Sequence, residues 1–170
     1  MGTKGLPEPW LRGTLTEVPP VHRAVLHALE LAKEDLTKWC GELSDEELNR
    51  RPGGIAPVAF HLRHIARSAD RLLTYAEGGA LSAEQLAALK SEFDAGAKRE
   101  ELFAELTATL ARCEERIRKL AERNVSDGRF VGLKKLPTTL GGLLVHVADH
   151  TQRHVGQAIT TAKIVVGQRG

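Results

Sequence analysis

The stretch that decides the fold is FHLRHIARSADRLLTY, residues 60–75. Its apolar residues recur at alternating steps of four and three, and the same rhythm extends from Val58 to Ala76. Because each residue of an α-helix turns by about 100°, this spacing places the apolar side chains along one face. The stripe consists of Val58, Leu62, Ile65, Ala69, Leu72 and Ala76. The segment is therefore predicted to be a helix that buries this face in a bundle.

Three further segments repeat this apolar pattern. A first helix is predicted to begin at Pro20, because proline suits the first helical turn. Its stripe consists of Val25, Leu29, Ala32, Leu36 and Trp39. A third helix is predicted from about Lys98 to Arg123, with a stripe of Phe103, Leu106, Leu110, Cys113, Ile117 and Leu120. A fourth is predicted to follow a cap at Thr138 or Thr139 and to continue to about Val166.

Shorter helices are predicted in the connections. Ser44 with Glu47, and Ser82 with Gln85, have the spacing of a capping box, which indicates short helices over 45–50 and 82–93. No segment shows strand alternation of comparable length, and residues 124–137 are predicted to be a turn-rich connection. Long amphipathic helices bury their stripes against each other. The predicted fold is all-α: an irregular arm over 1–19, a four-helix bundle over 20–166 and a tail over 167–170.

The composition excludes several classes of function. The net charge is +2, with acids and bases interleaved, and only 4% of residues are aromatic, which argues against a nucleic-acid-binding surface. Cys40 and Cys113 stand far apart, so a disulfide framework is not expected and a reducing compartment is. No apolar run approaches the roughly 20 residues that a membrane span needs, and the first residues lack the apolar core of a signal peptide. A cytoplasmic protein is the expectation.

Two histidines interrupt the apolar stripe of the fourth helix. That stripe consists of Leu140, Leu143, Val147, His150, His154, Ala158, Thr161 and Val165. A four-residue step turns a helical side chain by only about 40°, so His150 and His154 lie one turn apart on the same face. Buried imidazoles need hydrogen bonds or a metal ion, and neutral imidazole is a ligand for zinc, nickel, copper or iron. A divalent metal site is predicted, with hydrogen-bonded core or cleft histidines as the alternative.

A third ligand should come from another helix, and the second helix offers two candidates. By periodicity, His61 lies nearer the centre of the apolar stripe and His64 lies at its edge, which slightly favours His61 and leaves the choice open. On the fourth helix, His146 and Gln157 lie close to the same face and are predicted to line the cleft or support the ligands. Two other histidines, His22 and His27, do not share a face of the first helix, and we expect them at the surface or at its edge.

The histidine-bearing segments resemble a known family. The segment FHLRHIARSADRLLTY, followed by LVHVADHTQRHVGQ at residues 144–157, is similar to the DinB/YfiT superfamily of metal-dependent proteins, which is unrelated to the DNA polymerase of the same name. The first family motif is a histidine followed by an aliphatic residue and alanine, and it matches His64. The second is a His-x-x-x-His pair followed by Gly-Gln, and it matches His150 and His154. The resemblance thus favours His64 over His61 as the third ligand.

The resemblance also implies a topology and a range of activities. It implies an up-down-down-up bundle, dimers, and zinc or nickel (or iron) held by three histidines with a position open to water or to a thiol. It implies an enzyme that transfers or hydrolyses small molecules, in some relatives with a low-molecular-weight thiol. One departure is Val155, where many members have arginine, and Arg153 is the nearest substitute. The alternative is a non-catalytic bundle for ligand binding or dimerisation, in which the histidine cluster is structural. For the implied dimer, Val21, Leu144 and Ile164 are candidate interface residues.

Overall fold

The computed structural model describes residues 6–169 and contains six α-helices and one two-stranded hairpin in that range. The helices are α1 (Pro20–Cys40), α2 (Asp45–Asn49), α3 (Val58–Ala76), α4 (Ala83–Lys90), α5 (Arg99–Leu120) and α6 (Leu140–Gly167). Short 3-10 turns lie at Pro9–Leu11 and Pro52–Gly54. The long helices α1, α3, α5 and α6 form the predicted four-helix bundle. Residues 1–5 of the predicted arm and residue 170 of the predicted tail lie outside the described residues.

Side-chain contacts between the long helices establish their directions. His22, at the start of α1, contacts the carbonyl of Leu120 at the end of α5, so these two helices are antiparallel. Helices α3 and α6 are also antiparallel, because His61 lies beside His154 whereas His64 lies beside His150.

The remaining two pairs are parallel. Arg67 of α3 pairs with Glu105 of α5, and Asp70, later in α3, pairs with Arg116, later in α5. On the other side of the bundle, Gln152 of α6 donates to the carbonyl of Ala28 in α1, and later in both helices Lys163 lies over the ring of Trp39. The order is therefore up-down-down-up, as the resemblance implies.

The core consists largely of the predicted stripes, although Leu72 and Phe103 are only partly buried and Trp39 is exposed. Each long helix contributes fully buried side chains to the core: Leu29 and Leu36 of α1, Leu62 and Ile65 of α3, Leu110 and Ile117 of α5, and Leu140 and Val147 of α6. Trp39 was predicted to belong to the stripe of α1 but is 39% exposed, and Cys40 takes the inward position one residue later. The tryptophan ring instead lies beside the ammonium groups of Lys38 and Lys163, at 5.1 and 4.3 Å from its centroid, which is within the range of cation–π contacts.

The caps that were predicted from the sequence are present. Ser44 and Ser82 both accept a hydrogen bond from the backbone N–H three residues later and complete capping boxes for α2 and α4. Thr139 caps α6 by accepting from the N–H of Gly142. Helix α4 is shorter than predicted, and α5 ends at Leu120 rather than near Arg123.

A β-hairpin between α5 and α6 contradicts the prediction of a connection without strands. Strand β1 (Gly128–Val131) pairs antiparallel with β2 (Leu136–Thr139), and Gly132 begins its turn with a φ of 70°. Arg129 donates to the carbonyl of Ala76 and so docks the hairpin onto the end of α3. Four-residue strands on the surface bury too little to create a strong alternating pattern, which is why no strand was predicted for these residues.

Two predictions about the first helix and the surface are also wrong. His22 is 1% exposed and His27 is 7% exposed, although both were expected at the surface or its edge. His22 Nε2 contacts the carbonyl of Leu120, and His27 Nε2 contacts the hydroxyl of Thr14. Nδ1 of His22 is buried and has no hydrogen-bond partner within the described residues. Leu144 was offered as an interface residue but is fully buried. The dimer stays a prediction. No helix within residues 6–169 has the length and apolarity to cross a membrane.

Candidate metal centre

Three histidines from two antiparallel helices converge where α3 and α6 cross. His64, His150 and His154 each offer a ring nitrogen, and these three atoms all lie within 4.8 Å of one another. Nε2 of His64 and Nε2 of His150 are 2.9 Å apart. The rings of His64 and His154 have centroids separated by 4.3 Å. The triad is half-buried, so it is removed from bulk solvent without being sealed.

The donor set and spacing fit a divalent ion. Zinc binds imidazole nitrogen at about 2.0–2.1 Å, so two such nitrogens in a tetrahedral site lie about 3.4 Å apart. The 2.9 Å separation of the His64 and His150 nitrogens, and the limit of 4.8 Å for all three ligand atoms, are compatible with this spacing. Three imidazoles also leave at least one coordination position of a tetrahedral ion for another ligand, as catalytic zinc sites do.

Burial keeps two of these rings neutral at ordinary pH. Desolvation, followed by the nearby His64, lowers the pKa of His150 to about 4 and that of His154 to about 4. A neutral imidazole has a lone pair free for a metal, whereas an imidazolium has none. The low pKa therefore favours metal binding at pH 7.

His64 is held in place by a buried carboxylate that the sequence did not reveal. Nδ1 of His64 lies 2.7 Å from Oε2 of Glu92, and Glu92 is only 3% exposed. Oε1 of the same carboxylate accepts a hydrogen bond from Nη1 of Arg71, also at 2.7 Å. The neighbouring Asp70 does not pair with Arg71 but with Arg116 of α5.

The protonation of this assembly fixes the role of each His64 nitrogen. Burial by itself would raise the pKa of Glu92, but the hydrogen bonds from His64 and Arg71 outweigh it and lower the pKa. An ionised carboxylate only accepts hydrogen bonds, so Nδ1 of His64 must donate. In the neutral ring the lone pair is then on Nε2, which faces His150. A carboxylate behind a ligating histidine is a common support of metal sites.

The remaining sequence candidates lie around the triad. His61 is 4% exposed and its Nδ1 lies 3.1 Å from Nδ1 of His154, so it contacts a member of the triad rather than belonging to it. Periodicity correctly placed His61 nearer the centre of the helix stripe. Desolvation, then the nearby His64, lowers its pKa to about 4. His146 is exposed and pairs with Asp149 at 2.9 Å, and its ring centroid lies 5.3 Å from that of His150.

A cleft of about 710 Å³ opens beside the histidines. Gln157 lines this cleft together with His61, Arg153 and His154. Val155, which replaces the arginine of many relatives, is 2% exposed and belongs to the core. The remaining walls are mostly apolar or small: Ile55, Ala56, Phe60, Gly156, Thr160 and Thr161.

An aromatic pair forms a rim next to the triad. The ring of Phe60 stacks on Phe93 with centroids 3.9 Å apart, and it also lies nearly parallel to the His64 ring at 5.1 Å. Phe93 is 58% exposed and adjoins Glu92 in the chain. The segment after α4 therefore contributes both the carboxylate behind His64 and an apolar cover beside it.

The fold and the site together define a class: a four-helix bundle with a histidine cluster that could hold a divalent metal. The sequence model of the DinB superfamily matches residues 28–158, which include all three histidines of the triad. The chain belongs to the DinB superfamily. The comparison with curated proteins gave no match.

Two solved structures share the fold. A conserved protein from Enterococcus faecalis superposes with a TM-score of 0.71 at 20% identity, over 87% of this chain and 98% of its own. YfiT from Bacillus subtilis, described as a probable metal-dependent hydrolase with an unusual four-helix-bundle topology, superposes with a TM-score of 0.61 at 20% identity. That match covers 86% of this chain and 87% of YfiT. At this identity the likeness concerns the fold.

Proposed function

We propose that this protein is a metal-dependent enzyme that hydrolyses small molecules or transfers a group between them, with a low-molecular-weight thiol as one candidate reactant. The observation that carries the proposal is the half-buried cluster of three histidines, one of which, His154, lines an open cleft of about 710 Å³. A purely structural site is normally closed by four protein ligands, whereas a catalytic site keeps a position free. We expect zinc or nickel in this site.

The residues around the triad would have different roles in such a site. A bound ion would supply Lewis acidity, which lowers the pKa of a water or thiol beside it. Glu92 orients His64 and balances part of the positive charge, while Arg71 holds Glu92 in place. His61 contacts His154 and restricts the rotation of its ring.

The cleft indicates how a substrate would be held. Phe60 and Ile55 offer apolar contact, and Gln157 offers an amide that can donate or accept a hydrogen bond. Arg153 is the one cation among the lining residues, and its side chain is 58% exposed. A small molecule with an apolar part and an anionic or polar group would match these walls.

The experiment that tests the proposal is metal analysis by elemental mass spectrometry of protein purified without an affinity tag. We expect about one equivalent of zinc or nickel in the parent and in a His146→Ala control, whose exposed histidine stands one turn before His150. The His150→Ala/His154→Ala variant should lose the metal while keeping its helical circular dichroism. A metal-loaded parent would then be screened for hydrolysis and for thiol-transfer reactions, with the metal-free variant as the blank.

Two results would contradict the proposal. A parent that takes up no metal when zinc or nickel is supplied would show that the histidines are a polar cleft of a binding module. Metal that persists in the double variant would show that the ion is bound elsewhere on the chain.

A further inference from the structure

A second and larger cavity lies away from the histidines. It has a volume of about 1110 Å³ and lies where α3 and α5 end and where the hairpin packs against them. Tyr75, in its wall, is eleven residues beyond His64 on the same helix, which corresponds to about 16 Å. No residue lines both this cavity and the cleft beside the triad. We call it the hairpin groove.

The walls of the hairpin groove carry an excess of positive charge. The cations are Arg116, Lys119, Arg123, Arg129 and Lys135, whereas the acids are Glu77 and Asp127. Both acids already have partners: Glu77 binds Arg116 at 2.7 Å, and Asp127 lies 3.9 Å from Arg129. Lys119, Arg123 and Lys135 form no ion pair within the described residues 6–169. The groove therefore contains three cations whose charge no protein carboxylate balances.

The dipole of α5 accounts for the position of only one of these three cations. Lys119 lies in the last turn of α5, where a positive side chain favours the helix dipole. Arg123 lies beyond the end of α5, and Lys135 lies in the turn of the hairpin. Their convergence on one cavity is a feature of the tertiary fold.

Apolar side chains stand beside the cations. Phe130 and Leu86 line the groove and are 60% and 45% exposed, and Leu133 at the hairpin turn is fully exposed. Exposed apolar side chains grouped around a concave surface mark a binding site more often than single scattered ones do. The volume is close to the upper end of the range for small-molecule sites, which is about 300–1,000 Å³.

We propose that the hairpin groove binds an amphiphilic organic anion, a small molecule that has a carboxylate, sulfonate or phosphate group joined to an apolar or aromatic body. Lys119, Arg123 and Lys135 would contact the anionic group. Phe130, Leu133 and Leu86 would cover the apolar body. This site is independent of the triad and goes beyond the proposed enzyme activity.

The test uses anilinonaphthalene sulfonate, a fluorescent probe that combines an aromatic body with a sulfonate. We expect saturable binding of one probe per chain. The Lys119→Glu/Arg123→Glu variant should weaken binding about tenfold or more, which corresponds to about 1.4 kcal/mol, because two carboxylates would then face the sulfonate. Phe130→Ser should weaken it by about threefold or more, because apolar contact area is lost. If the double variant does not fold, the Lys135→Glu variant tests whether the positive charge of the groove contributes to binding.

A matched control separates the groove from the charge of the whole molecule. Lys38→Glu/Lys90→Glu makes the same change in net charge at exposed positions outside the groove, so it should alter binding by less than about twofold. Equal weakening by both double variants would overturn the proposal. Binding that survives Lys119→Glu/Arg123→Glu but disappears in His150→Ala/His154→Ala would also overturn it, because the probe would then occupy the cleft beside the triad. Metal content should stay at the parental level in every groove variant.

Discussion

Replacing Glu92 by glutamine removes the negative charge behind His64 while keeping the size of the side chain. Oε2 of Glu92 is 2.7 Å from Nδ1 of His64, and the carboxylate is 3% exposed, so solvent and salt screen this interaction weakly. Loss of such a support typically lowers metal affinity by about 10–100-fold. We therefore expect the Glu92→Gln variant to bind zinc about 10–100 times more weakly, which corresponds to about 1.4–2.7 kcal/mol.

The same substitution also affects the folded protein. Arg71 is 9% exposed and would face an amide in place of a carboxylate. Because glutamine can still accept a hydrogen bond from the guanidinium, we expect a loss of about 1–3 kcal/mol in the free energy of unfolding. Zinc affinity must consequently be measured well below the unfolding temperature, by competition with a chromophoric chelator at fixed pH.

A matched control is Glu114→Gln. Glu114 accepts a hydrogen bond from Lys33 at 2.6 Å, joins α5 to α1 and contacts none of the histidines. It should change zinc affinity by less than about twofold, since a half-exposed ion pair far from the site contributes little. An affinity of Glu92→Gln within twofold of the parent would refute the reasoning that this carboxylate supports a ligand. An equal loss in both variants would refute it as well.

Three other measurements test the core and the buried polar groups. Leu62→Ala, at a fully buried position, should reduce the free energy of unfolding by about 2–5 kcal/mol in a urea titration, and a loss below 1 kcal/mol would contradict the packing described. The metal-free protein should lose stability as the pH falls from about 6.5 to about 4. The reason is that burial lowers the pKa of His61 to about 4 in the folded protein, so the unfolded chain takes up the proton at a higher pH than the folded chain does. A pKa shift of this size corresponds to about 3 kcal/mol, and the loss of stability should be smaller in the His61→Asn variant. Burial raises the pKa of the Cys40 and Cys113 thiols to about 12. Both thiols should therefore react with an aromatic disulfide reagent at pH 8 only after the protein is denatured. Rapid reaction of the native protein would contradict their burial.

The bundle could be predicted from the sequence because its signals are local. Apolar spacing within each helix, such as the steps from Leu62 to Ile65 to Ala69, depends on neighbours a few residues away. The capping residues Ser44, Ser82 and Thr139 act on a backbone N–H three residues later. Each of these features was located correctly.

The site was only partly predictable, because its geometry depends on contacts between distant segments. Periodicity identified the inward pair His150 and His154 and ranked His61 as more buried than His64, which is correct. The more buried histidine of α3 is, however, not the one whose ring nitrogen lies nearest to His150. His64 lies at the edge of its helix stripe and faces His150 and the connection, a placement that the family motif indicated and the spacing did not.

Glu92 and His22 had no sequence signal at all. Glu92 lies 28 residues from His64 and outside any helix, so no periodicity connects them. His22 is buried because it contacts a carbonyl 98 residues away. Such pairings exist only once the helices have assembled. Sequence patterns within one element therefore cannot reveal them.

The position of α6 in the bundle has a consequence for synthesis of the protein. Helix α6 packs on both α1 and α3 and supplies two of the three clustered histidines, yet it is the last of the long helices to leave the ribosome. Until it emerges, α1 and α3 have no partner for the faces they bury against it, and a shortened chain has only His64. Capture of the proposed metal would then follow completion of the fold, because a chain interrupted before residue 150 carries one of the three clustered histidines and cannot close its core.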